Sequence, residues 1–113
     1  MSAITTHILD TSRGLPASGV RVVLELRGRA GWEVLGQGTT DADGRLKNLL
    51  PAAFDLQAGA HRLTFHTADY FAAAGVESFY PEVVISFVVA ETAAHYHVPL
   101  LVSPFGYSTY RGS

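Results

Sequence analysis

A two-sheet β-sandwich carrying one short helix is the fold class that this sequence predicts. Three observations predict it: short segments with a hydrophobic period of two, glycine- and aspartate-bearing turns between them, and a single stretch fit for helix. The 113 residues form one expected domain, 1–113, because domains commonly run ~100–150 residues and a second core could not close in this length.

The opening segment contains His7, which shares parity with Thr5 and Leu9, whereas Ile4, Thr6 and Ile8 take the other face and make the better core set. Gly19 to Arg27 alternates clearly: Val20, Val22, Leu24 and Leu26 lie on one face, Arg21, Glu25 and Arg27 on the other. Gly28-Arg29-Ala30-Gly31 then turns the chain into Trp32–Gln37, a hairpin arrangement. Asp41-Ala42-Asp43-Gly44 is the next turn, with Gly44 suited to a positive φ. His61 to Thr67 resumes the period of two. Asp69 to Ala74 is the helix candidate, in which Asp69 can cap, alanines propagate and Gly75 stops the helix. Val83–Val89 is apolar at both parities, as in a strand covered on both sides, and a second subunit is one possible cover. In the last strand His95, His97, Pro99 and Leu101 share one face, and Tyr96, Val98, Leu100 and Val102 the other. Roughly six to eight short strands make a sandwich the natural solution.

Composition narrows the function classes. A formal charge of −2 with scattered basic residues lacks the clustered Lys/Arg footprint that nucleic acid requires. Absence of cysteine removes disulfides, thiolate nucleophiles and sulfur-ligated metals together. With 48% hydrophobic and 16% charged residues, the chain can fill a core and keep apolar surface for a neighbouring subunit. The start has no basic stretch leading into an apolar run, and no segment nears the ~18 apolar residues of a membrane span. The end, Arg111-Gly112-Ser113, is not a Ser-Lys-Leu type of address. A cytoplasmic protein without a membrane partner is the expectation.

Candidate chemistry lies at His7, at Arg45 just after the aspartate turn, and at His95-x-His97. Each alone is also compatible with an ordinary surface or core residue. There is no Gly-x-Ser-x-Gly elbow, so spacing alone supplies no triad. The competing chemistry is zinc, since His95 and His97 point the same way and His7 could supply a third imidazole.

A family resemblance organises these residues. Thr5-Thr6-His7-Ile8-Leu9-Asp10-Thr11-Ser12-Arg13-Gly14 with Pro16-Ala17, then Thr40-Asp41-Ala42-Asp43-Gly44-Arg45-Leu46, then His95-Tyr96-His97-Val98-Pro99-Leu100-Leu101, resemble three motifs of the transthyretin-related hydroxyisourate hydrolases. Ser103 to Ser113, ending in Tyr110-Arg111-Gly112-Ser113, completes the third and is its most specific part. The resemblance spans essentially the whole chain. It implies a transthyretin-like sandwich of about seven to eight strands. It also implies homotetramers with sites in a channel where dimers meet, and neither metal nor other cofactor. The implied reaction, in urate degradation, is hydrolysis of 5-hydroxyisourate to 2-oxo-4-hydroxy-4-carboxy-5-ureidoimidazoline. His7, Arg45, His97 and Ser113 take the catalytic roles: the histidines activate water and Arg45 stabilises the developing oxyanion. Tyr110, with His7, Arg45 and Ser113, binds substrate. The terminal residues are expected to order only as part of the subunit channel. Transthyretins proper are similar in architecture but lack the His/Arg/His set and the Tyr-Arg-Gly-Ser end, so a non-catalytic carrier of small molecules is the alternative function.

Overall fold

Alternation decides which side of each strand is buried, and two sheets close over the buried sides. The computed structural model describes residues 2–113. Along them run β1 (Ile4–Asp10), β2 (Leu15–Pro16), β3 (Arg21–Gly28), β4 (Gly31–Thr39), β5 (Arg45–Leu46), β6 (Gly59–Phe65), α1 (Thr67–Ala73), β7 (Val83–Val89), β8 (Tyr96–Ser103) and β9 (Gly106–Thr109). One sheet has the order β2-β1-β8-β9, with β5 also paired to β1; the other runs β4-β3-β6-β7. The nine strands slightly exceed the expected number because β2 and β5 are two-residue pairings. The two-sheet, mostly-strand architecture with a single short helix is the one the sequence predicts.

Ile4 and Ile8 of β1, Val22 and Leu24 of β3, and Leu63 and Phe65 of β6 are fully buried between the sheets. Burying each such side chain contributes about 1.5–3 kcal/mol. The β3–β4 hairpin turns through Arg29-Ala30, and an extra residue, Leu35, opens a bulge opposite Leu24 and Glu25. On β7, Val83, Ile85 and Val89 are buried, while Val84 and Val88 remain 41% and 69% exposed. Within the chain, therefore, β7 is covered on one side. His61, in the core beside Phe87, donates through Nδ1 to the Gly59 carbonyl 3.0 Å away.

The helix begins two residues before its expected start. β6 ends at Phe65, His66 donates its N–H to the Arg21 carbonyl, and Thr67 is already helical rather than extended. Asp69 accordingly lies inside the first turn, where its charge faces the positive end of the helix, and caps nothing. Burial of Thr67 and Phe71 overrides the local capping preference. The C-terminus ends as the sequence predicts: Gly75 takes φ 71°, its N–H meets Ala72, and that of Val76 meets Phe71, a Schellman motif. The helix is tied to β1 through Tyr70, whose hydroxyl donates to Oδ2 of buried Asp10 at 2.9 Å. Burial is the main cause that raises the Tyr70 phenol above its ordinary pKa, with the bond to Asp10 adding to it. Oδ1 of Asp10 accepts from the backbone and hydroxyl of Ser12, so both oxygens of this buried carboxylate are bonded. Among the described residues no helix is long and apolar enough to cross a membrane.

Candidate active site

β1 brings the candidate residues together because it is paired on both edges. On one edge it runs parallel to β8, with Thr5 opposite His97 and His7 opposite Pro99. On the other it meets β5, with His7 opposite Arg45. Ile4 and Ile8 face the core, so Thr5 and His7 stand on the outer face, together with His97.

The turn before Arg45 fixes where that arginine starts. Asp41 Oδ1 accepts from the Asp43 and Arg45 amides at 2.9 Å each, and the Asp41 amide donates back to the Arg45 carbonyl. The Arg45 N–H is the main cause that holds the Asp41 carboxyl below its ordinary range; burial opposes it and the Asp43 N–H assists. Gly44 adopts φ 75° and its carbonyl accepts from Ile8; a Cβ there would collide with the Ile8 carbonyl oxygen. Only glycine fits both demands.

The outer face carries an open cavity of about 270 Å³ bordered by Thr5, Thr6, Arg45, Lys47, His95, His97 and Ser113. Arg45, His97 and Ser113 of the predicted set therefore share one hollow. His97 is half-buried, and burial is the largest cause lowering its pKa below the usual 6.5. Repulsion from His95, Arg45 and His7 acts in the same direction, and the hydrogen bond with Thr5 opposes. The imidazole is thus neutral near pH 7. His7 stands outside this lining: its Nε2 lies 2.9 Å from the Asp43 carbonyl, to which it must donate, so a neutral His7 keeps its lone pair on Nδ1. Among the described residues the Arg45 guanidinium has no hydrogen-bond partner.

The tail is held by its own chain. Gly112 donates to the His97 carbonyl at 2.8 Å, Thr109 Oγ1 donates to the Pro99 carbonyl at 2.7 Å, and the Arg111 guanidinium lies 4.6 Å over the Tyr96 ring. These contacts lay the terminal residues along β8 of the same chain. They also give Arg111 and Gly112 definite structural tasks. Tyr110 is mostly exposed and borders a second hollow of about 250 Å³, with Ile85, Phe87, Val88 and Tyr96. His97 borders both hollows.

Three lining residues escaped the sequence reading as candidates. Thr5 had a signal, its shared parity with His7; Lys47 had a weaker one, two positions beyond Arg45; Thr6 had none, being on the core parity with its hydroxyl bonded to the Val98 carbonyl. The donor set does not fit a metal ion: among the described residues no group of three or more His, Cys, Asp or Glu side chains converges suitably. His7 turns to Asp43, while His95 and His97 both meet Thr5.

Comparison with known proteins identifies the family. A family model described as HIUase/Transthyretin matches residues 4–112. A 5-hydroxyisourate hydrolase of Caulobacter vibrioides is 49% identical over 117 residues, covering all of both chains. The structure of Klebsiella pneumoniae 5-hydroxyisourate hydrolase is 44% identical, covers 97% of this chain and 98% of its own, and superposes with a TM-score of 0.84. Sea bream transthyretin, solved in complex with thyroxine, is 31% identical with a TM-score of 0.91, covering 98% of this chain and 95% of its own. The chain belongs to the HIUase/Transthyretin family.

Proposed function

We propose that this chain is a hydrolase that opens the six-membered ring of 5-hydroxyisourate, the reaction for which its Caulobacter and Klebsiella relatives are named. The product is 2-oxo-4-hydroxy-4-carboxy-5-ureidoimidazoline. The observation that carries this reading is one cavity in which a neutral imidazole, His97, meets an unpartnered guanidinium, Arg45, and Ser113. Arg45 and Lys47 also give the hollow two cations, which suits an anionic, oxygen-rich heterocycle.

In this reading water attacks the ring carbonyl carbon while His97 Nε2 takes its proton. The carbonyl oxygen becomes an oxyanion against the Arg45 guanidinium, whose forked donors match it. Collapse breaks the carbon–nitrogen bond, and the imidazolium returns the proton to the departing nitrogen. His7, directly opposite Arg45 in register and with Nδ1 available, shares in handling the proton or the substrate edge. Ser113 orients water or substrate through its hydroxyl, and Tyr110 packs at the margin where the two hollows meet.

The exposed valines of β7 and the apolar second hollow support assembly into a homotetramer, a dimer of dimers with the site at a subunit channel. The carrier alternative draws on the likeness to sea bream transthyretin. The lining argues against it, since Arg45, Lys47, His95 and His97 bring cationic and imidazole groups to the hollow that a purely apolar ligand would not use.

The test is to mix the protein with freshly generated 5-hydroxyisourate and follow its ultraviolet absorbance. Decay faster than in buffer is expected. Decay at the buffer rate, with tight equilibrium binding of an apolar ligand, would leave the carrier reading instead.

A further inference from the structure

Thr5 Oγ1 lies 2.8 Å from Nδ1 of His97 and 3.0 Å from Nε2 of His95. We propose that Thr5 and His95 are positioning residues that select the tautomer and ring orientation of His97. The inference rests on the hydrolase reading above, because it concerns how the imidazole is made ready to accept a proton from water.

A hydroxyl has one proton, so Thr5 can donate to one of these nitrogens and must accept from the other. Two arrangements exist. If Thr5 donates to His97, then His97 carries its proton on Nε2 and has no lone pair for water. If Thr5 donates to His95 Nε2, then His97 Nδ1–H donates to Thr5 and Nε2 is a lone pair. The proposed reaction requires the second arrangement. It also survives the proton transfer: once Nε2 is protonated, Nδ1–H still points at the same oxygen, so the bond need not reorganise. The nitrogen opposite the reacting one commonly sets the tautomer of a histidine in this way.

The surroundings favour a fixed hydroxyl. Thr5 is 5% exposed, held in β1 between the β5 and β8 edges, and opposite His97 in register. Its β-branched side chain has few rotamers in a strand. His95 is exposed, so its Nδ1–H can bond water while Nε2 accepts. Gly112 presses on the other side of the His97 ring, where a Cβ would lie 2.6 Å from Cδ2. The imidazole is thus fixed at one edge by Thr5 and against one flank by the tail.

The test uses Thr5→Val, which keeps the shape and removes the hydroxyl, Thr5→Ser, which restores it, and His95→Asn. Imidazole nitrogen chemical shifts of the wild-type protein at pH 8 should show His97 protonated at Nδ1. Thr5→Val should give a mixture of tautomers, and His95→Asn should move the population toward the Nε2–H form. In turnover of 5-hydroxyisourate, Thr5→Val should lower kcat by about 100-fold, the lower end of what a positioned general base contributes, with KM little changed. Thr5→Ser should recover most of that loss. Wild-type kcat in Thr5→Val, equal loss in Thr5→Ser and Thr5→Val, or a His97 tautomer indifferent to Thr5→Val would each overturn the proposal. No acceleration by the wild-type protein would instead sink the hydrolase reading, and the nitrogen shifts would still judge the tautomer selection by itself.

Discussion

Gly112 donates its amide to the carbonyl of His97 at 2.8 Å, and its missing side chain is what lets it come so near, because a Cβ would lie 2.6 Å from Cδ2 of the imidazole. The same contact places Ser113 at the cavity. Gly112→Ala must push the tail off β8 or tilt the His97 ring. The tail is mostly exposed, so unfolding free energy should change by no more than about 0.5 kcal/mol. Turnover of 5-hydroxyisourate should fall by about 10-fold or more, since a displacement near 1 Å can cost more than that. Removing Tyr110 to Ser113 should abolish turnover with the sandwich intact by circular dichroism. A deletion variant of wild-type kcat would show that the tail has no part in the chemistry.

Arg45 and His97 separate charge stabilisation from proton transfer. Arg45→Ala should fold and lose about 100- to 1,000-fold in kcat, the range for removal of one oxyanion donor. Arg45→Lys should recover only part, because an ammonium is a point charge without the planar fork and Lys47 already supplies one. His97→Asn should also fold and lose most of the acceleration. Stopped-flow turnover decides: rates close to wild type in both Arg45→Ala and His97→Asn would remove the assignment.

Dependence on pH follows from the lowered pKa of His97. The neutral form is the base, so kcat/KM should rise with pH along an acid limb whose midpoint lies below the ordinary 6.5. Burial is the main cause and the charges of His95, Arg45 and His7 add to it. Arg45→Ala should therefore shift the acid limb of its residual activity upward. Stability has the corresponding sign: the unfolded state binds the proton more readily, so the contribution is complete above about pH 6.5 and is lost as pH falls through the folded value. An acid limb at or above 6.5 in the wild-type profile would contradict the assignment of His97 as the base.

Much of this arrangement is legible in the sequence because period-two alternation reports faces directly. It separates Thr5 and His7 from Ile4 and Ile8, and His97 from Val98, before any partner is known. Register is not legible in that way. That β1 runs parallel to β8 with Thr5 opposite His97 depends on strands far apart in the chain, and no local signal encodes it. The helix start is not legible for a related reason: Asp69 is the better capping residue, but burying Thr67 and Phe71 outweighs a cap of about 1 kcal/mol. The tail looked free in the sequence because its anchors, the His97 carbonyl and the Tyr96 ring, come from β8 and make no pattern of their own.

Asp10 shows a non-local dependence of another kind, one that bears on stability. Its carboxylate is 1% exposed in β1, and Tyr70 reaches from α1 to donate to Oδ2 at 2.9 Å while Ser12 serves Oδ1. Tyr70→Phe keeps the ring, which packs edge-on against Phe71 at 5.1 Å, and removes only the donor. A hydrogen bond to a charged group is worth about 1.5–3 kcal/mol, and the oxygen left behind has little access to water. Denaturant midpoints should fall accordingly at unchanged m-value. kcat should stay at wild type, because Tyr70 lines neither hollow beside His97. Stability within about 0.5 kcal/mol of wild type, the usual range for a surface substitution, would mean that Asp10 is satisfied without the helix.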